Sequence, residues 1–490
     1  MFEKYMERDL MRKITIVNLL WESSQITSIE LAEYLEVTAA TIKSDIKFIN
    51  TCYCSEDSLL IGSSLNGYYI LNKNKRDKAY YMKKIYKESL FIRACCHFLK
   101  NNFSNVIQFA NQEFISKSKA YYLKGEVMIY LKEIQVITAT NEIDECRLRF
   151  LLSFFQMKLD EEFVLIPINN KTFFSQLFEE FEKIEGCLLS DYSKKYASIL
   201  FQLYFNRRKK GEMNFEKNTL CMLKKTKVYE RLSQPVRLFL EKELYGQAKD
   251  EEIFYFVLIF NVMNANYFED GGISEIHQSY VNLISNSPIL FYKELVYLFE
   301  KGFNIRLEKE KLFEAALITF LRKCIFNLQS LIPEEHFELG NLAEVPNHIF
   351  LKSREIFYQW NNLTKLNLSY SDYHIKYFTS KIYFLLSKRK RPQNIYLLTS
   401  FYTDYLLAKE ILNREYGNIV HIEQYNPNKQ ISTYSVNDLV LYDTKYEVLS
   451  KLPCLTLKIS YVFDLVELQL IREQLFGYDL KGITCYKYAY

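Results

Sequence analysis

The sequence predicts a mostly α, multidomain protein, with helical domains at the N-terminus, helical bundles in the centre and one small α/β domain at the C-terminus. Three observations carry this. At 490 residues the chain is too long for a single hydrophobic core. Its 13 Gly and 8 Pro are few against 39 Tyr and 37 Phe, a composition of packed helices with short connections. Apolar residues follow the helical period up to about residue 386, and strands alternating with helices follow.

From the start, residues 10–21, LMRKITIVNLLW, have helical spacing. Thr27 is placed to cap the next helix, with Glu30 completing a capping box, and Leu31, Ala32 and Leu35 share one face. A turn at Glu36-Val37 leads to a second N-cap, Thr38, and to a helix with Ile42, Ile46 and Ile49 at i, i+4, i+7. Its other face offers Ala40, Lys43, Ser44 and Lys47, with Thr38 and Thr41 at the helix start. Small and basic residues there suit close approach to a groove and its phosphates. Two β-prone runs, SLLIG (58–62) and YYIL (68–71), are joined by Asn66-Gly67, which predicts a hairpin turn. Helix, turn, helix, hairpin is the order of a winged helix, here followed by Lys73, Lys75 and Arg76.

A similar unit follows in QFANQEFISKSKAYYLKGEV. Phe109-Ala110 matches Leu31-Ala32, Ile115-Ser116 matches Val37-Thr38, and Ala120 takes the place of Ile42. Glu113 falls where the first unit has Leu35, with Phe114 expected to fill that space. Ser116, Lys117, Lys119, Tyr121 and Lys124 are the exposed candidates of this second recognition helix.

Charge reinforces the reading. Residues 1–135 hold 19 basic against 15 acidic side chains, which accounts for the whole net charge of +4, since the remaining residues balance at 44 against 44. Within that part, residues 71–132 hold 13 basic against 4 acidic. Positive charge concentrated beside two helix-turn-helix patterns points to a polyanion, double-stranded DNA.

From about 145 to 386 the chain reads as amphipathic helices, with connections at 206–214, 269–275 and 284–288. AKDEEIFYFVLIFNVM (248–263) and SYSDYHIKYFTSKIYF (369–384) form a weak duplication, an acidic start followed by an aromatic helix. After SKRKRP (387–392) come strands at 394–400, 418–425, 438–444 and 455–460. A helix at 404–417 is ended by Gly417, and a closing helix runs from Asp464 to about Phe476. A largely parallel sheet is expected.

This order resembles the Mga/AtxA-type global transcription regulators of low-GC Gram-positive bacteria. The resemblance rests on LEVTAATIKSDIKFIN, the second unit ISKSKAYYLKGEV and YFNRRKKG (204–211), and it covers nearly the whole length. It implies a winged helix-turn-helix domain at 1–75 and a second helix-turn-helix domain at 76–150. Helical regulation domains of the phosphotransferase system (PTS) would follow at 151–285 and 286–388, and an enzyme-IIB-like α/β domain at 392–490. It further implies promoter DNA as partner, control of virulence or metabolic genes, dimerisation through the C-terminal domain, and tuning by phosphorylation of histidines, with PTS phosphocarrier proteins as candidate partners. The first regulation domain lacks a histidine in DYSKKYASILFQLYFNRRKKG, so His374 and His277 are the leading candidates for phosphorylation. In the enzyme-IIB position the loop TSFYTDY offers Thr399 and Ser400 where a phosphorylated cysteine would stand, so loss of phosphoryl transfer is expected.

Other classes fare worse. There is no Gly-rich phosphate loop, no G-x-S-x-G and no H-E-x-x-H, so no catalytic residues and no enzymatic activity are expected. The ten cysteines lack metal-knuckle spacing and read as reduced thiols, with no metal and no cofactor. The N-terminus MFEKYMERDLMRK is not a signal peptide, and the apolar run at 253–263 is too short to span a bilayer, so a cytoplasmic protein without membrane contact is expected. The alternatives are a phosphocarrier-like signalling protein and a helical interaction scaffold without DNA binding.

Overall fold

The computed structural model describes residues 2–471 except 54–60, 72–77, 268–279, 286–290, 334–344, 388–393 and shorter breaks of one to three residues. Lys73, Lys75, Arg76, His277, Gly417, nearly all of the basic linker and most of the predicted closing helix lie outside the described residues. The chain divides into two compact units, residues 1–302 with 306–379, and residues 303–305 with 380–490.

In the first unit a 3-10 turn, Phe2–Tyr5, precedes α1 (Arg8–Glu22), α2 (Ser28–Tyr34) and α3 (Ala39–Tyr53). An antiparallel hairpin follows, β1 (Ile61–Ser64) with β2 (Gly67–Ile70). The helices α4 (Lys78–Glu88), α5 (Leu90–Lys100), α6 (Val106–Gln112) and α7 (Lys117–Glu133) complete the N-terminal part. One continuous apolar core runs from Phe2 through this part into the central helices. Phe2 begins it: its ring meets Tyr86 at 5.4 Å, Phe154 at 6.2 Å and Phe155 at 6.1 Å. Tyr5 stacks on Phe91 of α5 at 4.9 Å, and Glu7 accepts a hydrogen bond from the Leu90 amide at 2.9 Å. The opening residues therefore staple the first helix-turn-helix unit to the second.

The central helices are α8 (Glu145–Leu159), α9 (Ile168–Glu185), α10 (Asp191–Arg207), α11 (Lys217–Lys224), α12 (Lys227–Leu244) and α13 (Asp250–Val262). Residues Glu252 to Val262 of α13 are all buried, as an all-round apolar helix must be. The expectation of helices alone fails at one place. Cys187–Leu189 (β3) pairs antiparallel with Ala265–Tyr267 (β4), because Gly186, at φ +60°, ends α9 and leaves a short apolar run to pair.

Four further helices follow: α14 (Tyr292–Phe303), α15 (Lys311–Cys324), α16 (Asn347–Thr364) and α17 (Asp372–Ser387). Phe299 and Phe357 pack against Phe378 at 5.5 and 5.2 Å. The suspected duplication has a structural counterpart in α13 and α17. Each opens on an aspartate paired to an arginine of the helix before it, Asp250 to Arg237 at 2.7 Å and Asp372 to Arg354 at 3.4 Å.

The second unit holds a four-stranded, wholly parallel sheet in the order β6-β5-β7-β8. Its strands are β5 (Asn394–Leu398), β6 (His421–Gln424), β7 (Leu439–Tyr442) and β8 (Leu455–Lys458), each shorter than the sequence predicts, with α18 (Tyr402–Tyr416) crossing from β5 to β6. One sheet face packs Ile395, Leu397, Leu439 and Leu441 on Ala408 and Leu412 of α18. Tyr396 and Val440 point the other way, onto Tyr425 and Tyr434. Such alternation is what a strand period of two requires.

Candidate nucleic-acid interface

The geometry of α3 follows from its caps and its buried face. Thr38 Oγ1 accepts from the Thr41 amide at 3.2 Å and meets Thr41 Oγ1 at 2.9 Å, so Thr41 is partly buried in the cap. Ile42, Ile46 and Ile49 are buried, which turns Ala40, Lys43, Ser44 and Lys47 outward, all exposed with Thr38. Asp45 is buried as well, a charged group that the apolar pattern alone does not place. Arg12 of α1 reaches it twice, Nε to Oδ2 at 2.5 Å and Nη2 to Oδ1 at 3.2 Å. This pair fixes the roll of the recognition helix against α1.

The wing is tied down from both sides. Asn50, near the end of α3, donates to the Ile61 carbonyl at 2.8 Å and accepts from the Ile61 amide at 2.9 Å. Ile26, just before α2, exchanges backbone hydrogen bonds with Tyr68 at 3.0 and 2.8 Å, adding a third short strand to the hairpin. The turn is one residue earlier than expected, at Leu65-Asn66. Ser64 pairs with Gly67, which takes φ +124°. Leu65 at the tip is fully exposed.

A constant shift of 78 residues carries Ser28–Tyr34 onto Val106–Gln112, and Ala39 onto Lys117, the first residues of α3 and α7. The turns superpose in detail. Glu36 and Phe114 both take positive φ, 54° and 53°. Val37 N donates to Ala32 O, and Ile115 N to Ala110 O, each at 3.0 Å. Ser116 caps α7 by accepting from the Lys119 amide at 3.2 Å.

Three details of the second unit differ from expectation. Phe114 does not fill the space of Leu35; it occupies the left-handed turn position and is 96% exposed. Glu113 holds its place by pairing with Arg93 at 3.1 Å. Lys124 is half-buried instead of exposed, because the shift sets it at the position of Ile46, on the inward flank. Lys117, Lys119 and Tyr121 are exposed. Tyr122, which carries no spacing signal of its own, is exposed beside them, with Lys119 Nζ 4.9 Å from its ring centre.

Residues 7–61 match the family model of the M protein trans-acting positive regulator (MGA) HTH domain. These residues form an Mga-type helix-turn-helix domain. The match supports a DNA-binding transcription regulator, and it ends within the first strand of the wing. No curated protein matches the chain. Within the Mga-type domain, the face opposite the Arg12–Asp45 pair is the one free to enter a groove.

The remaining candidates lie elsewhere. In α17, His374 Nε2 is 2.7 Å from the Gln329 carbonyl, so it acts as the donor and leaves Nδ1 as the basic nitrogen. In the second unit, Thr399 Oγ1 donates to Phe401 O at 3.0 Å. The Ser400 amide donates to Asp443 Oδ2 at 2.6 Å, and Ser400 Oγ lies 3.3 Å from Thr444 Oγ1. Ser400 follows β5 and Asp443 follows β7, the two strands between which the connections diverge. That crevice is where open parallel sheets bind ligands, and here a carboxylate of the chain itself takes the amide. Among the described residues no group of His, Cys, Asp or Glu could hold a metal ion, and no helix is long and apolar enough to cross a membrane. Burial pushes the Cys96 thiol up to about 12, far from a reactive thiolate.

Proposed function

We propose that this chain is a cytoplasmic, dimeric regulator of virulence or metabolic genes that binds promoter DNA through two tandem recognition helices, α3 and α7. One observation carries the reading: Lys43, Ser44 and Lys47 are exposed on a helix whose opposite side is wholly buried and clamped to α1 by an ion pair. Such a face has no packing role, and its chemistry matches phosphates and base edges. The shifted copy, with Lys117 and Lys119 exposed, extends the footprint.

Dimerisation is assigned to the C-terminal unit, where Phe401, Tyr402, Leu406 and Leu407 leave an exposed apolar patch at the start of α18. Regulation is assigned to phosphorylation of His374 and His277 by PTS phosphocarrier proteins, which would add negative charge to the helical modules. The chain regulates and does not catalyse in this reading. A phosphocarrier role is disfavoured by Asp443, which occupies the amide that a phosphoryl group on the Thr399–Ser400 loop would need.

Gel-shift titration of the full chain at two salt concentrations tests the proposal. Affinity should fall steeply with salt, by a log–log slope of about −0.9 for each phosphate contacted, and Lys43→Ala with Lys47→Ala should flatten that slope. Unchanged binding by the double variant, or binding indifferent to salt, would reject it and favour an interaction scaffold.

A further inference from the structure

The two recognition helices present different chemistry at matching positions. The 78-residue shift sets Tyr121 where the first unit has Lys43, Tyr122 where it has Ser44, and Gly125 where it has Lys47. Tyr121 and Tyr122 are each 58% exposed, and Phe114, at the turn leading into α7, is exposed almost completely. Three outward aromatics on a short stretch are costly to leave in water. No acidic residue precedes Glu126 on α7, while Lys117 and Lys119 flank the aromatic rings. A basic rim around an aromatic face complements a polyanion that also carries apolar groups. In the major groove that group is the thymine C5 methyl.

We propose that the second unit reads thymine methyl groups, through Tyr121 and Tyr122, with Lys117 and Lys119 on the adjoining phosphates, while the first unit supplies polar contacts. This rests on the reading of α7 as a groove-entering helix. Gly125 leaves room for the close approach that methyl contact needs, since a side chain there would meet nothing within the protein. Phe114 stands at the edge of the same face.

The test is fluorescence-anisotropy titration of the full chain with an A·T-rich duplex long enough for both units, and with the same duplex carrying deoxyuridine for every thymidine. Removal of the methyls should weaken wild-type binding by about fourfold for each methyl contacted. Tyr121→Ala with Tyr122→Ala should bind both duplexes alike, whereas Tyr121→Phe with Tyr122→Phe should keep the preference for thymine. Lys43→Ala with Lys47→Ala should weaken binding to both duplexes and leave their ratio intact. Equal wild-type affinity for the two duplexes, or a preference that survives in the double alanine variant, overturns methyl reading while DNA binding stands. Failure of the wild-type chain to bind either duplex at low salt overturns the broader reading as well. Circular dichroism of each variant separates loss of contact from loss of fold.

Discussion

Arg12 on α1 and Asp45 on α3 form a two-point ion pair whose carboxylate is buried on the inward side of the recognition helix, and that hydrogen bond raises the basicity of Arg12. Neither residue faces a groove. Asp45→Asn should nonetheless lower DNA affinity, because it leaves Arg12 with a neutral partner, costing about 1–3 kcal/mol locally. Hydrogen exchange of the α3 amides checks this: exchange should quicken in Asp45→Asn and stay unchanged in Lys43→Ala.

Gly67 closes the wing at φ +124°, and a Cβ there would lie 2.6 Å from the Ile26 carbonyl oxygen. Gly67→Ala therefore meets both backbone strain and a backbone clash, a penalty of roughly 1–3 kcal/mol or more. Exchange of the Tyr68 and Ile26 amides should rise with it. Asn66→Ala at the exposed tip should change little.

Arg147 is buried, and burial lowers its pKa. Its guanidinium donates to the Ile134 carbonyl at 2.7 and 3.2 Å and to the Asn327 carbonyl at 2.8 Å. It therefore ties the end of α7 to the segment after α15. Arg147→Met keeps the apolar stem and strands two buried carbonyls, at a cost of about 2–4 kcal/mol. Limited proteolysis should find new cleavage near residues 135–144 and 325–330, a result that the exposed Lys132→Met should not reproduce.

Asp443 is opposed by partial burial, but hydrogen bonds from Ser400 and Thr444 outweigh it and hold the carboxyl below its ordinary range. A carboxyl depressed in the folded state stabilises above its unfolded pKa of about 3.9 and loses that contribution as pH falls through the lower folded value. Carbon-13 titration of the Asp443 carboxyl should show an unchanged signal from pH 7 to 5 and a midpoint below the free value. Asp443→Asn should remove that acid-range dependence from the Ser400 loop.

Much of the N-terminal design was legible in the chain because short-range rules set it. Thr27 and Glu30 form the capping box that their spacing predicts, with Thr27 N 2.8 Å from Glu30 Oε2. The isoleucines of α3 face inward as their period demands, and the parallel strands of the last unit fall within the predicted runs. Lys124 and Phe114 were misplaced for a physical reason. Phe114 looked like a core residue by type, but the turn needs a left-handed residue at that position and spends an aromatic on it. Once the turn is counted, Lys124 falls on the inward flank.

Sequence alone determined the helix caps, the repeated unit, the concentration of basic charge and the change to an α/β pattern near residue 392, since each depends on neighbours a few residues apart. Tertiary structure decided the rest. Partners such as Arg12 with Asp45, Ile26 with Tyr68, Arg147 with Asn327 and Ser400 with Asp443 are 33 to 180 residues apart. Burial gives such pairs their strength, and no local pattern in the chain records which distant group will be brought within reach.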